Sequence, residues 1–318
     1  MLFKAAFLDY ATLDQHDLDM HELHHVFDDL HIYERTNYSQ AVDRLQDVSV
    51  AIVNKVLLDA HVLHQLPKLK LILLCATGTN NVDLDAAKKQ GIVVCNCTNY
   101  GSASVAQHTF SLILALATSL VQYDKDIKAG EWQESPQFCM LNHPITELAG
   151  KTIGILGYGD IGQTVAKIAE AFGMKVLIGN LPHRPKQADR LDLNELLPQV
   201  DVLTLHCPLT SDTRNLINAD ALHLMKPTAF VINTARGGIV HETALAEALV
   251  TGVIAGAAVD VLTVEPPEEG NVLLDDEIPN LIVTPHTAWA SVEARQRMVS
   301  QLVENAKAFK AGQPIRQV

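Results

Sequence analysis

The chain has 318 residues, 48% of them apolar and 19% charged, which excludes a disordered protein and supplies material for two packed cores. Its formal net charge of −13 excludes an extended basic face for nucleic-acid phosphates, although a local basic pocket for an anionic substrate remains open.

The N-terminal MLFKAAFLDY runs directly into strand-like sequence with no apolar stretch of signal-peptide length, so a cytoplasmic protein without a membrane partner is expected. Lys4–Leu8, Val50–Val53, Leu71–Cys75 and Ile92–Cys95 predict short buried strands. Asp17–Leu30, Tyr38–Leu45 and Leu84–Gln90 between them predict helices. That alternation implies parallel βαβ units. His21, His24 and His25 have no Cys or carboxylate cluster beside them and read as a solvated helix face, so no metal site is expected. Cys75, Cys95, Cys97, Cys139 and Cys207 show no metal-ligand spacing and read as small hydrophobes in a reducing compartment.

The segment Val105–Val121 predicts a helix apolar around most of its circumference. Gln107, His108 and several Ser and Thr make it too polar for a bilayer, so burial at a subunit contact is expected. Gly130–Gly150, with Trp132, Pro136 and Pro144, lacks periodicity and reads as an extended arm. A second series of strands follows at Thr152–Leu156, Lys175–Ile178, Val202–Leu205, Ala229–Asn233, Ala255–Val259 and Leu281–Thr284, matching a full dinucleotide-binding sheet. The helical pattern Ser291–Ala311 exceeds what that sheet needs. A C-terminal helix crossing back to the first domain accounts for it, with a hinge near Thr98–Tyr100 and Pro285–His286.

Between the strand Thr152–Leu156 and a predicted helix, Gln163–Phe172, lies Gly157-Tyr158-Gly159-Asp160-Ile161-Gly162. In this context the first glycine permits a tight turn, the second admits a pyrophosphate, and the third lets helix pack on strand. Asp160 and Ile161 complete the loop and are cofactor candidates with its glycines, and the N-terminal N–H groups of the helix that follows suit the phosphates.

Three further residues stand just after predicted strands. Arg236 precedes Gly237-Gly238, and an arginine fork there binds a carboxylate bidentately or caps the next helix. Glu265 lies between Val264 and two prolines, in a rigid non-helical segment. His286 follows the last strand; a histidine there is a proton donor near neutral pH or a structural residue. Taken singly, each keeps its structural reading. Together, behind the glycine loop, they specify far more than any one of them.

At these residues the chain resembles the D-isomer-specific 2-hydroxyacid dehydrogenase family, almost end to end. The resemblance rests on GYGDIG, INTARGGIVHETALAEAL, AGAAVDVLTVEPP and NLIVTPHTAWAS, with CATGTNNVDLDAAKKQGI and NYGSASVAQHTFSLILAL in the N-terminal part. The last two, with HTAWAS, look most like its glycerate dehydrogenase (hydroxypyruvate reductase) branch. The resemblance implies an α/β fold of two doubly wound parallel-sheet domains. A Rossmann dinucleotide-binding domain, 100–285, is expected inside a flavodoxin-like substrate domain, 1–99 with 286–318. It also implies Arg236 on the substrate carboxylate and carbonyl, His286 as acid/base, Glu265 as its partner, and a homodimer formed through the Val105–Val121 helix and the arm. Ala76, Thr77, Gly78 and Tyr100 are expected at the substrate, and Cys207, Thr213, Thr234, Ala235 and Asp260 at the cofactor, Asp260 on the nicotinamide carboxamide.

The cofactor is NAD or NADP. Strict NAD use asks for a carboxylate after the second strand, about 20 residues past the glycines. Here Asn180 stands there, followed by His183, Arg184 and Lys186. The missing repulsion and added positive charge favour NADP or dual use, the alternative being cations in solvent and Asn180 on the ribose. The branch implies hydroxypyruvate or glyoxylate, with Trp132 and Trp289 as further pocket candidates. A D-lactate-type or other 2-oxo acid reductase is the enzymatic alternative. An NAD(H)-gated binding protein without activity is disfavoured by the intact Arg236, Glu265 and His286.

Overall fold

Runs such as Val50–Val53 and Leu71–Leu74 are buried at every position, the pattern of parallel strands covered on both faces. The computed structural model describes residues 2–182 and 184–318 and divides into two units, Met1–Gly101 with Ala290–Val318, and Ser102–Trp289.

The first unit runs β1 (Lys4–Phe7), α1 (His21–Val26), β2 (Asp29–Ile32), α2 (Ala41–Leu45), β3 (Val50–Val53), α3 (Ala60–His64), β4 (Leu71–Leu74), α4 (Leu84–Lys89) and β5 (Val93–Cys95). Its sheet is parallel in the order β2-β1-β3-β4-β5, the flavodoxin-like arrangement. The long helix expected over Asp17–Leu30 is instead a short helix and an edge strand, with Lys4 paired to Asp29 and Phe7 to Ile32. Local side chains account for the difference. Asp14 accepts the N–H groups of Asp17 and Leu18, and Asp19 that of His21, turns that compete with helix. Phe27 then leaves in extended conformation, ψ 147°.

The second unit contains α5 (Ser102–Ala117), α6 (Leu120–Ala129), α7 (Glu131–Glu134), β6 (Thr152–Leu156), α8 (Asp160–Ala171), β7 (Lys175–Gly179), α9 (Leu193–Leu196), β8 (Val202–Leu205), α10 (Ala219–His223), β9 (Phe230–Asn233), α11 (Glu242–Val250), β10 (Gly256–Val259) and β11 (Leu281–Val283). Its parallel sheet has the order β11-β10-β9-β8-β6-β7. The strand that lies outermost in the full dinucleotide fold is reduced here to a single bridge, Gly179 to Leu191. The helix expected over Val105–Val121 breaks at Ser119, φ 50°, whose hydroxyl donates to Pro144 O at 2.7 Å. α5 and α6 are thereby bent by 58°. α5 packs Ala106, Phe110 and Ile113 against Ile153, Ile155, Val165 and Ala169. Among the described residues no single helix is long and apolar enough to cross a membrane.

The last helix, α12 (Val292–Lys310), belongs to the first unit. Arg295 makes a two-pronged pair with Asp17, at 2.8 and 2.6 Å, and Asn305 donates to Asn96 O at 3.0 Å. The unit boundaries fall a few residues beyond the expected 99/100 and 285/286. Arg297 and Gln301 hold Tyr100 and Thr98 in the first unit. His286, Thr287 and Ala288 stay with the second because their N–H groups bond to Asp260.

Candidate active site

In a doubly wound sheet, ligands collect outside the carboxyl ends of the strands where strand order reverses. In the second unit that point lies between β6 and β8. The glycine loop leaves β6 there. Gly157 has φ +100°, and a Cβ on it would come 2.5 Å from the carbonyl of His206 at the end of β8. Gly159 faces open space. The first N–H of α8 to find a helix carbonyl is that of Gln163, on Gly159 O at 2.9 Å. The N–H groups of Asp160, Ile161 and Gly162 are left at the positive end of the helix for an anion. An open glycine and three unsatisfied donors fit a dinucleotide pyrophosphate.

Along the same edge, three strands present the candidate catalytic residues. After β9, Asn233 folds the turn by donating to Arg236 O at 2.9 Å and accepting from Ala235 N at 3.1 Å. Arg236 itself is exposed and gives one N–H to Ala235 O at 2.7 Å. After β10, Glu265 Oε1 accepts Leu262 N–H at 2.8 Å, which closes its own turn. After β11, His286 Nδ1 lies 2.5 Å from Glu265 Oε2, the two side chains 25% and 31% exposed. A carboxylate at Nδ1 fixes the tautomer and directs Nε2 outward, where it can give or take a proton. The turns of Arg236 and Glu265 touch: a Cβ on Gly237 would lie 1.9 Å from Leu262 O.

Residues 110–288 match the family model described as D-isomer specific 2-hydroxyacid dehydrogenase, NAD binding domain. Glycerate dehydrogenase of Methylorubrum extorquens is 48% identical over 99% of this chain and 98% of its own. Hydroxypyruvate reductase of Blautia hydrogenotrophica is 35% identical over 99% of both chains. The chain belongs to the D-isomer specific 2-hydroxyacid dehydrogenase family. Among solved structures, the NADPH-dependent glyoxylate/hydroxypyruvate reductase of Sinorhizobium meliloti, in complex with NADP and malonate, superimposes with a TM-score of 0.82. It is 29% identical, with 100% of this chain and 97% of that one covered. This family member is an oxidoreductase of 2-hydroxy acids that uses NAD or NADP.

The other residues expected at the cofactor of this dehydrogenase fall into two groups. Cys207 is buried beside Gly157, and burial pushes its thiol up to about 11, so it stays neutral. Thr213 is buried, donating to Pro208 O at 2.7 Å. Thr234 and Ala235 are buried at the exit of β9, with Thr234 Oγ1 3.0 Å from Thr109 Oγ1 on α5. Asp260 is 1% exposed, and its carboxylate is already engaged by the segment carrying His286. Asn180 is likewise committed: Oδ1 accepts Gln187 N–H at 3.2 Å, while Nδ2 donates to Arg190 O at 3.2 Å and approaches Asp192 at 3.4 Å. It shapes the loop after β7. Lys186 is paired with Asp192, which caps α9. Arg184 is exposed, and His183 lies outside the described residues.

In the first unit, Thr77 donates to Cys97 O at 2.8 Å and accepts at its carbonyl from Asn96, at 2.8 Å, which fixes the turn containing Ala76 and Gly78. Tyr100 is half-buried, its carbonyl holding Arg297. Trp132 is 50% exposed on α7. Among the described residues no group of His, Cys, Asp or Glu side chains is placed to hold a metal ion.

Three residues with a part in this site carry no signal in the sequence. Glu242 on α11 accepts Thr263 N–H at 2.7 Å and so steadies the turn of Glu265. Arg190 extends its guanidinium to 5.9 Å from the Tyr158 ring of the glycine loop, with Nε buried and unpartnered. His108 on α5 meets Thr284 and Asp260.

Proposed function

We propose that this enzyme reduces hydroxypyruvate to D-glycerate and glyoxylate to glycolate, with Arg236, Glu265 and His286 as its catalytic residues. The observation that carries the reading is the His286–Glu265 pair at 2.5 Å, on the strand edge that also presents Arg236. Substrate choice is supported by the 48% identical glycerate dehydrogenase, aligned over 99% of this chain.

A nicotinamide held at this edge would supply the hydride for the carbonyl carbon of the 2-oxo acid. Arg236 meets the carboxylate and carbonyl of the substrate with a planar fork, which orients the carbonyl and stabilises the negative charge developing on its oxygen. Protonated His286 gives its Nε2 proton to that oxygen and is left neutral. Glu265 stabilises the imidazolium before transfer. The turn Ala76-Thr77-Gly78 is assigned to the substrate carboxylate through backbone N–H groups, and Tyr100 to the wall of the pocket. The N-terminus of α8 would take the pyrophosphate, with Thr213, Thr234, Ala235 and Cys207 along the cofactor; Asp260, whose carboxylate is engaged by the segment of His286, is assigned to that segment rather than to the nicotinamide carboxamide.

NADPH or dual use is favoured over strict NADH. No carboxylate ends β7, and Arg190, whose Nε has no hydrogen-bond partner among the described residues, supplies positive charge near the glycine loop together with Arg184. The enzyme is read as a homodimer. On α6, α7 and the arm after them, Leu120, Trp132, Phe138, Leu141 and Ile145 are 61, 50, 91, 76 and 59% exposed. That is an apolar surface a second copy would cover. Five free cysteines, four of them buried, support a reducing cytoplasm.

Initial rates on hydroxypyruvate, glyoxylate and pyruvate, each with NADPH and NADH, test the reading. Hydroxypyruvate is expected fastest, and His286→Asn should abolish turnover while dinucleotide binding persists. Faster pyruvate reduction would overturn the substrate assignment.

A further inference from the structure

Asp260 is almost completely buried, yet three donors from one short segment converge on its carboxylate. Thr284 Oγ1 donates to Oδ1 at 2.5 Å, Thr287 N–H to Oδ1 at 2.9 Å, and Ala288 N–H to Oδ2 at 2.9 Å. The main chain adds to the same hold, Asp260 O accepting His286 N–H at 2.8 Å. Every bond falls on His286 or a residue within two of it. His286 has φ +54°, a left-handed backbone that a histidine adopts at a cost and keeps only when its surroundings enforce it.

The chain of bonds has a further link. The Thr284 hydroxyl has one proton, and the 2.5 Å contact with Asp260 spends it. Its oxygen can then only accept from the next neighbour, His108 Nε2, at 3.0 Å. Nε2 of His108 is therefore the protonated nitrogen. It also lies 3.5 Å from Asp260 Oδ1, where a bare nitrogen lone pair would face two oxygens. α5 thus braces the His286 segment through His108, as Thr109, the next residue, braces the exit of β9 through Thr234.

We propose that His108 and Thr284 are positioning residues for the reaction: they orient Asp260, which clamps both flanks of His286 and fixes the direction of Nε2. The proposal rests on His286 as the proton donor. Neither residue touches substrate, so their loss should lower kcat without weakening binding.

The test uses full-length Thr284→Val, Thr284→Ser, His108→Leu and the Val/Leu double variant, with His286→Asn as control. Hydroxypyruvate kinetics are measured at saturating NADPH, and NADPH affinity by nicotinamide fluorescence. Thr284→Val should lower kcat about 10- to 100-fold, the cost of misplacing a catalytic group by a fraction of an ångström to an ångström, with KM and NADPH affinity within about threefold of wild type. Thr284→Ser, which keeps the hydroxyl, should restore most of the rate. His108→Leu should act in the same direction, and the double variant should fall no further than Thr284→Val alone, since one chain is cut twice. Should Thr284→Val not fold, His108→Leu decides the matter by the same split between kcat and KM.

Wild-type kcat in Thr284→Val or in His108→Leu overturns the proposal, as does additivity in the double variant. A loss of NADPH affinity matching the loss of kcat overturns it too, because the clamp would then serve the cofactor. An inactive His286→Asn beside an unimpaired Thr284→Val removes the clamp and leaves the function standing. An active His286→Asn removes both.

Discussion

Gly237→Ala probes whether the Arg236 and Glu265 turns must stay in contact for catalysis. A Cβ at this position would lie 1.9 Å from Leu262 O, 2.1 Å from the Leu262 carbonyl carbon and 2.5 Å from Thr263 N, where real Cβ contacts do not go below 3.0 Å. All three are backbone atoms, so no side chain can swing aside, and the turns must part by about 1 Å. Neither can yield freely. Leu262 N–H is held by Glu265 and Thr263 N–H by Glu242, at 2.8 and 2.7 Å. Asn233 ties down the Arg236 side. Overpacking of this kind costs about 1–3 kcal/mol of stability. An ångström of misplacement at a catalytic group costs roughly 100-fold in rate, about 2.7 kcal/mol of barrier. Steady-state reduction of hydroxypyruvate, followed at the nicotinamide absorbance, should show that loss in kcat/KM. NADPH affinity, read by titration, should fall less than kcat/KM, because the glycine loop is on another strand and only Thr234 and Ala235 share the displaced turn. A folded Gly237→Ala with kcat/KM within about threefold of wild type would refute the argument that the two turns work at fixed separation.

Arg190→Ala should lower kcat/KM for NADPH about 10- to 100-fold and leave NADH nearly unchanged, as loss of a charge-assisted bond to a 2′-phosphate predicts; an equal change for both would place Arg190 outside phosphate recognition. The Arg295 guanidinium beside Asp17 holds the Asp17 carboxyl well below its ordinary value of 3.8. A lowered folded value means that the contribution is present above the unfolded value and lost as pH falls. Wild type should therefore lose melting temperature more steeply than Asp17→Asn below about pH 4, and parallel curves would dismiss the pair as a stabiliser. Phe138→Glu with Leu141→Glu should convert a dimer to monomers in sedimentation velocity, and an unchanged dimer would move the interface away from the arm.

The sheets were legible because their strands are short apolar runs that need no context. VAIV and LILL are buried at every residue, and a run of that kind has few other places to go. Asp29–Ile32 was not legible. It is an edge strand with mixed burial, and its DLHI continues the apparent amphipathic pattern of His21–Val26. Only pairing with β1 distinguishes it, and pairing is a property of two segments. The break after α5 was hidden for a similar reason: Ser119 turns because Pro144 is there to accept its hydroxyl.

The active-site residues divide along the same line. Arg236, Glu265 and His286 stand just after apolar strands, so the sheet edge that gathers them is implied by strand positions alone. The residues that hold them lie elsewhere in the chain. His108 is set within a largely apolar helix, where its spacing fits a core face as well as any role. Glu242 reads as an ordinary acid in the first turn of α11, yet it holds the turn of Glu265 across 21 residues of sequence. Asn180 shows the limit most clearly. Its position after β7 marks it for the ribose, but its amide is used within the loop, beside Asp192. Asn180→Asp would set two carboxylates against each other at that contact, so a changed cofactor preference in that variant would report a disturbed loop as readily as a new ribose bond. Arg190, whose Nε has no hydrogen-bond partner among the described residues and whose guanidinium meets the face of Tyr158 at 5.9 Å, is the better residue at which to test the preference.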